Sequence, residues 1–255
     1  MVLITLFAIW VAFAVGVNWA GASRSVFDLL CGNTDRILHG EVWRLLTAPW
    51  MHEPSGTIGH IFSALLGLYF LSPSLESRWG SRRFAGFLLL SSVMAYGLQM
   101  LFELVLPASF AARLVPNEYW YGALPTAAAV SIAWALSFRG RSLNFLFVPI
   151  TSGQLIVLVV AINVMYVLAG ASSPSGMVAP FGGMLAGWVF GGGSPSPARK
   201  LWLKLRLAKL DAEARSEARA RRQRVDKGGL RVISGGRDED ENDRKSSNDK
   251  GRYLN

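Results

Sequence analysis

Three histidines, His39, His52 and His60, are the side chains of this sequence whose ordinary titration falls near neutral pH, and all three lie in the first quarter of the chain. Between Glu118 and Lys200 there is no His, Asp, Glu or Lys. A serine or threonine hydroxyl attacks a carbonyl only when a base within hydrogen-bond reach takes its proton. Thr126 and Ser131 fall inside the base-free stretch, so neither has a partner nearby in sequence. A serine could still borrow His60 through the fold. Cys31 is the single cysteine, which excludes an intrachain disulfide and reads as a small buried residue. Neither a metal nor a cofactor is expected.

The elements that would position these residues follow from the distribution of charge. The 255 residues are 51% hydrophobic and carry a net charge of +9. The charge is segregated. Residues 1–193 hold long apolar runs, and the rest holds most of the Lys, Arg, Asp and Glu. This predicts a membrane-embedded body with a soluble tail. Six stretches have roughly the apolar length that a span needs: 2–20, 58–73, 84–107, 120–137, 145–169 and 176–192. The first has no Lys or Arg before it and is read as a retained span rather than a cleavable signal. Segment 21–57 contains Trp43, Trp50 and Met51 among polar residues and is read as a partly embedded first loop.

Orientation comes from basic residues in short loops. Arg78, Arg82 and Arg83 follow the second span, Arg139 and Arg141 the fourth, and Arg199 and Lys200 the sixth. That side is expected to be cytoplasmic, with both termini on it. The opposite loops carry only Arg113 between the third and fourth spans and no charge around 171–175, although the long first loop contains arginines. Glu103, near the outer end of the third span, is expected to be interfacial and solvated. Gly183 and Gly187 lie one turn apart in the sixth span and predict a close helix-packing seam.

The tail divides further. Gly191–Pro197 is a Gly/Ser/Pro linker, and residues 194–227 contain a basic juxtamembrane helix. From Ser194 to Val225 there are ten Lys or Arg against three Asp or Glu. Leu201, Leu205 and Ala208 are placed on one face with Leu203, Leu207 and Leu210 adjacent, so the helix is expected to lie on anionic lipid. Nucleic acid is not an expected partner. Residues 228–255 are expected to be mostly disordered, with a short strand at Leu230–Ile233 as the one local element.

Several motifs occur in order along the body. Gly40-Glu41-Val42-Trp43-Arg44 stands in the first loop, followed by His52 and by His60 at the head of the second span. Leu75-Glu76-Ser77-Arg78-Trp79-Gly80 closes that span, where Glu76 and Arg78 are expected to be neutralised by each other and by freed backbone groups and Gly80 to reverse the chain. Gly122-Ala123-Leu124-Pro125 opens the fourth span, and Ala179-Pro180-Phe181-Gly182-Gly183 the sixth. Over residues 40–83 and 120–190 the chain resembles the rhomboid family of intramembrane serine proteases. The resemblance implies an all-α bundle of six transmembrane helices with a cytoplasmic tail.

The resemblance also implies where catalysis should be and is not. Rhomboids open the fourth span with Gly-x-Ser-Gly and carry a histidine in the sixth. Their second-span side chains, a His and an Asn among them, stabilise the oxyanion. The retained family positions are Trp43, Arg44, His60, Glu76, Arg78, Gly80, Gly122, Gly183 and Gly187. The degenerate ones are Leu124 at the nucleophile, Pro180 at the base and Ala64 at the Asn. Leu124 has no nucleophile, and Pro180 has no titratable group and no N–H. Losing one oxyanion donor alone costs about 10²- to 10³-fold in rate. The expectation is an inactive member that binds transmembrane segments of client proteins through the family's lateral opening between its second and fifth spans. Its membrane is expected to be a bacterial inner membrane. Two alternatives stay open: an active serine endopeptidase with a displaced dyad, and a non-enzymatic scaffold acting through the tail. The sequence leaves the oligomeric state unassigned.

Overall fold

The computed structural model describes residues 2–55, 58–107, 109–110, 118–145, 148–170, 173–191 and 197–227. Arg113, the predicted strand at Leu230–Ile233 and all of 228–255 lie outside the described residues. Two compact units are distinguished, Met1–Leu203 and Lys204–Asn255.

The first unit is built from helices. They are α1 (Val2–Asn18), α2 (Ser25–Leu30), α3 (Thr34–Leu38), α4 (Arg44–Thr47), α5 (Gly59–Trp79), α6 (Ser81–Val105), α7 (Leu124–Ser137), α8 (Ser152–Leu168) and α9 (Ala179–Gly191). A turn of 3₁₀ helix, Ala48–Trp50, follows α4. Of these, α6 alone is both long and apolar enough to cross a bilayer by itself. α1, α7 and α8 are apolar but have 17, 14 and 17 residues. Fourteen helical residues span about 21 Å, short of a bilayer's apolar core. α5 has 21 residues, but its last turns hold Pro73, Glu76 and Arg78.

The predicted fifth span is corrected at its start. Residues 142–151 form a two-stranded antiparallel hairpin, β1 (Ser142–Phe145) with β2 (Val148–Thr151), so the body is not wholly α. The helix begins only at Ser152. There the Thr151 side chain accepts from the Gln154 N–H while the Gln154 carboxamide accepts from the Thr151 N–H, a reciprocal N-terminal cap.

α7 is the hub. Twelve of its residues are buried, and it packs against α5, α6, α8 and α9. Its alanines explain how four helices approach one: small side chains let backbones close in. The tightest pairing is with α9. A Cβ placed on Gly183, Gly187 or Gly191 would fall 2.0 Å from the Pro125 carbonyl oxygen, 2.4 Å from that of Ala129 and 2.2 Å from the Ala133 Cβ. Both series repeat every four residues, so glycine of one helix meets backbone of the other turn after turn.

α8 is different. Only Ser152 and Leu155 are buried on it, and Val157, Met165 and Leu168 are largely exposed. It packs on α7 and has no comparable contact with α5.

The segment 21–57 folds as α2, α3, α4 and the 3₁₀ turn rather than as an irregular loop. Arg44, 2% exposed, holds it together. Its guanidinium donates to the carbonyls of Asp28 (2.6 Å) and Cys31 (2.5 Å) and pairs with Glu41 at 2.5 Å. Trp43 beside it is exposed. Cys31 is fully buried, and that burial pushes its thiol far above the ordinary value.

At the end of α5, Gly80 has a φ of 81° and the chain turns directly into α6. Of the two kinds of partner predicted for Arg78, the backbone carbonyl is found and the ion pair with Glu76 is not. Arg78 donates to the Ser137 carbonyl at 2.5 Å and lies over the Phe138 ring, while Glu76 is exposed. Two residues apart on a helix, the side chains point to different sides.

In the second unit, the part of α10 (Pro197–Lys227) from Lys204 to Gln223 is exposed throughout. The tail helix is thus present, but its single apolar face is not. At about 100° per residue, Leu201 and Leu205 lie on one side while Leu203, Leu207 and Leu210 lie almost opposite. The alternation of leucine with other residues has a period of two, which wraps apolar groups around a helix.

Candidate functional site

The candidate site lies at the end of the bundle where α5, α7 and α9 begin and α8 ends. A cavity of 430 Å³ opens there, lined by Gly59, His60 and Ser63 of α5, Leu124 of α7, Asn163 and Tyr166 of α8, and Ser173, Pro174, Gly176, Met177 and Pro180 leading into α9. The structure thus brings His60, Leu124 and Pro180 to one cavity. Ala64, one turn after His60, is buried in the main core and is not among the lining residues.

Backbone clips set this geometry. The strand-like approach to α7 is held on two sides. Gly32 and Trp120 exchange both N–H···O bonds (2.8 and 2.9 Å), the Gly122 N–H donates to the Ala48 carbonyl (2.9 Å), and the Tyr121 N–H donates to that of Pro174 (2.8 Å). Gly122 has a φ of 112°, and a Cβ there would fall 2.1 Å from Cε1 of His60. The imidazole therefore rests directly on the backbone before α7. Glycine is required at that position both by the backbone angle and by the ring above it.

His60 has one hydrogen-bond partner. Its Nε2 lies 3.2 Å from Oγ of Ser175, a fully buried residue. A serine thus meets His60 through the fold, the pairing that the sequence left open. The Tyr96 hydroxyl, beside Ser175, donates to the Gly122 carbonyl at 2.5 Å. Between Ser175 and Nε2 of His60 the imidazole tautomer sets which one donates. Nδ1 of His60 has no partner and is enclosed. No third group orients the ring, and Ser175 does not line the cavity.

His52 is held separately. Its Nε2 accepts from the Ala123 N–H at 3.3 Å, and its ring lies 5.1 Å from that of His60. Burial, with a smaller contribution from His60, lowers its pKa to about 3, so it is neutral near pH 7. His39 is exposed, and its Nδ1 meets the Asp35 carbonyl. Thr126 bonds Ser92 of α6 at 2.8 Å, and Ser131 donates to the Ala127 carbonyl. Neither has an imidazole partner.

Two positioning networks were missed from the sequence. Glu53 accepts from both Nη atoms of Arg24 (2.8 and 2.9 Å) and from the Tyr121 hydroxyl (2.5 Å). Burial acts to raise its carboxyl, but those bonds outweigh it and hold the group below the ordinary value. Gln99, fully buried in α6, accepts from the Val178 and Ala179 N–H groups (2.9 and 3.0 Å) and so caps α9 beside Pro180. Its amide donates to Glu103 at 3.0 Å, which also takes the Thr34 hydroxyl. Glu103 is therefore half-buried and bonded rather than solvated. A glutamine and a glutamate four residues apart in an otherwise apolar helix were the available signal.

A family model described as the rhomboid domain matches residues 39–193. No curated protein matches the chain. The match takes in every element from α5 to α9 and more than half of the sequence, and the chain belongs to the rhomboid family of integral membrane proteins.

Proposed function

We propose that this protein binds transmembrane segments of client proteins and does not cleave them. One observation carries the reading. Leu124 and Pro180, which stand where the family keeps its nucleophile and base, line the same cavity as His60 and offer it neither a hydroxyl nor a proton acceptor. The cavity lies between α5 and α8, and the sparse packing of α8 supports a lateral opening there. Six spans with both termini cytoplasmic fit the arginine placement, and in a bacterial cell that membrane is the inner one. The charge of α10 supports contact with anionic lipid, now through basic residues rather than an apolar face. Purified full-length protein incubated with a panel of single-span segments and a fluorophosphonate probe should give neither cut product nor labelled serine. Serine-dependent cleavage above background would end the reading.

The His60–Ser175 contact favours a second reading, a protease with a displaced dyad. Two features weigh against it. Ser175 is enclosed and outside the lining of the cavity, and among the described residues no further group hydrogen-bonds the His60 ring to orient it as a base. If cleavage is found and Ser175→Ala removes it, this second reading replaces the first.

A further inference from the structure

The lining of the α5–α8 cavity specifies what a bound segment must carry. Its polar side chains are His60, Ser63, Asn163, Tyr166 and Ser173, and among the described residues no charged side chain lines it. Asn163 has already spent an amide N–H on the Val159 carbonyl at 2.8 Å, which leaves its Oδ1 as an acceptor. The hydroxyls of Ser63, Tyr166 and Ser173 have no side-chain or backbone partner among the described residues. A wholly aliphatic segment seated here would displace water from these groups and leave them unsatisfied. An ionised side chain of either sign would enter without a counter-charge.

We propose that the cavity selects client segments bearing a carboxamide, Asn or Gln, near the end of the span that lies where α5 begins. A carboxamide offers two N–H donors and one carbonyl acceptor. The donors suit Asn163 Oδ1, and the acceptor suits the rotatable hydroxyls of Ser63, Tyr166 and Ser173. Position follows from the fold, because the cavity sits beside the first turn of α5 and the last turns of α8, not at mid-bundle. The inference rests on the client-binding reading and adds to it a chemical class and a depth.

The test uses full-length protein in lipid vesicles and synthetic leucine–alanine spans, each with one photoreactive leucine and one guest position. Guests are Leu, Asn, Asp and Lys near the outer end, and Asn at the centre. Crosslinking to the end-Asn peptide should exceed that to the Leu peptide by about tenfold, the effect of one well-formed hydrogen bond to a group otherwise left bare. The Asp, Lys and central-Asn peptides should not exceed the Leu peptide. The preference should fall toward unity in Asn163→Leu and in Ser63→Ala/Ser173→Ala, neither of which alters a buried side chain. Equal crosslinking of end-Asn and Leu peptides overturns the selectivity and leaves client binding standing. No crosslinking of any peptide overturns both. A preference that survives both variants, or one for Asp or Lys, also overturns the assignment.

Discussion

α7 presents two sides that evolution of the same scaffold has treated differently. Toward α9, glycine meets the backbone or the first side-chain carbon of α7 at every turn. Toward α5 and α8 the packing loosens, and a cavity stands at the positions the resemblance assigns to catalysis. A fold and its chemistry are constrained by different atoms. A glycine at Gly183 is dictated by the carbonyl of Pro125, whereas Leu124, packed against the core, and Pro180, buried in α9, also present surface to the cavity.

Substitutions can break each side. Gly183→Leu forces a side chain into the Pro125 carbonyl and should cost about 3 kcal/mol or more, read as loss of folded protein or a large drop in thermal midpoint in detergent. Retained stability would mean the α7–α9 seam is slack. Arg44→Ala leaves Glu41 and the carbonyls of Asp28 and Cys31 without their buried cation. It should cost about 3 kcal/mol by the same measurement, because removing one partner of a buried charged network exposes the desolvation cost of the rest. Gln99→Leu uncaps α9 and strands two N–H groups. It should cost about 2 kcal/mol and speed amide exchange at Val178 and Ala179 before exchange elsewhere in α9. Uniform exchange along α9 would show that the cap does not fix its start.

The sequence exposed those features whose cause is local. Gly80 and Gly122 sit in turns that demand them, Gly183 and Gly187 recur at helical spacing, and Trp43-Arg44 stands in a recognisable order. What it concealed was tertiary or misread in period. Ser175 meets His60 across 115 positions, and no pattern in either neighbourhood announces it. Gln99 looks like a polar interruption of an apolar helix until α9 is docked on it. Residues 145–151 were absorbed into a span because their apolar content is high. The Thr151–Gln154 pair was the overlooked signal for a helix start at Ser152. The leucines of α10 were counted as one face although they alternate every second residue.

The boundary between the two sides of α7 can be probed by acid. His52 packs against the ring of His60, accepts from Ala123 just before α7, and is held neutral by burial with its pKa lowered to about 3. In the unfolded chain a histidine titrates near 6.5. Between those values the unfolded state binds a proton that the folded state does not, so stability rises with pH across that window and falls on acidification. The share of this loss that belongs to His52 should begin as pH drops below about 6.5 and approach about 1.4 kcal/mol per unit near pH 5. Carboxylates such as Glu53, held below their ordinary range, act only at lower pH, so the onset near 6.5 belongs to the imidazoles, His52 and the enclosed His60 ring against it. His52→Gln should lower the slope between pH 6.5 and 5 in thermal unfolding by that share. It gives up the neutral ring's acceptor geometry, so its midpoint at pH 7.5 should be lower than that of the unsubstituted protein. The decisive reading is the difference between the two slopes: if the variant's slope equals that of the unsubstituted protein, His52 is not an acid-sensitive group of this fold.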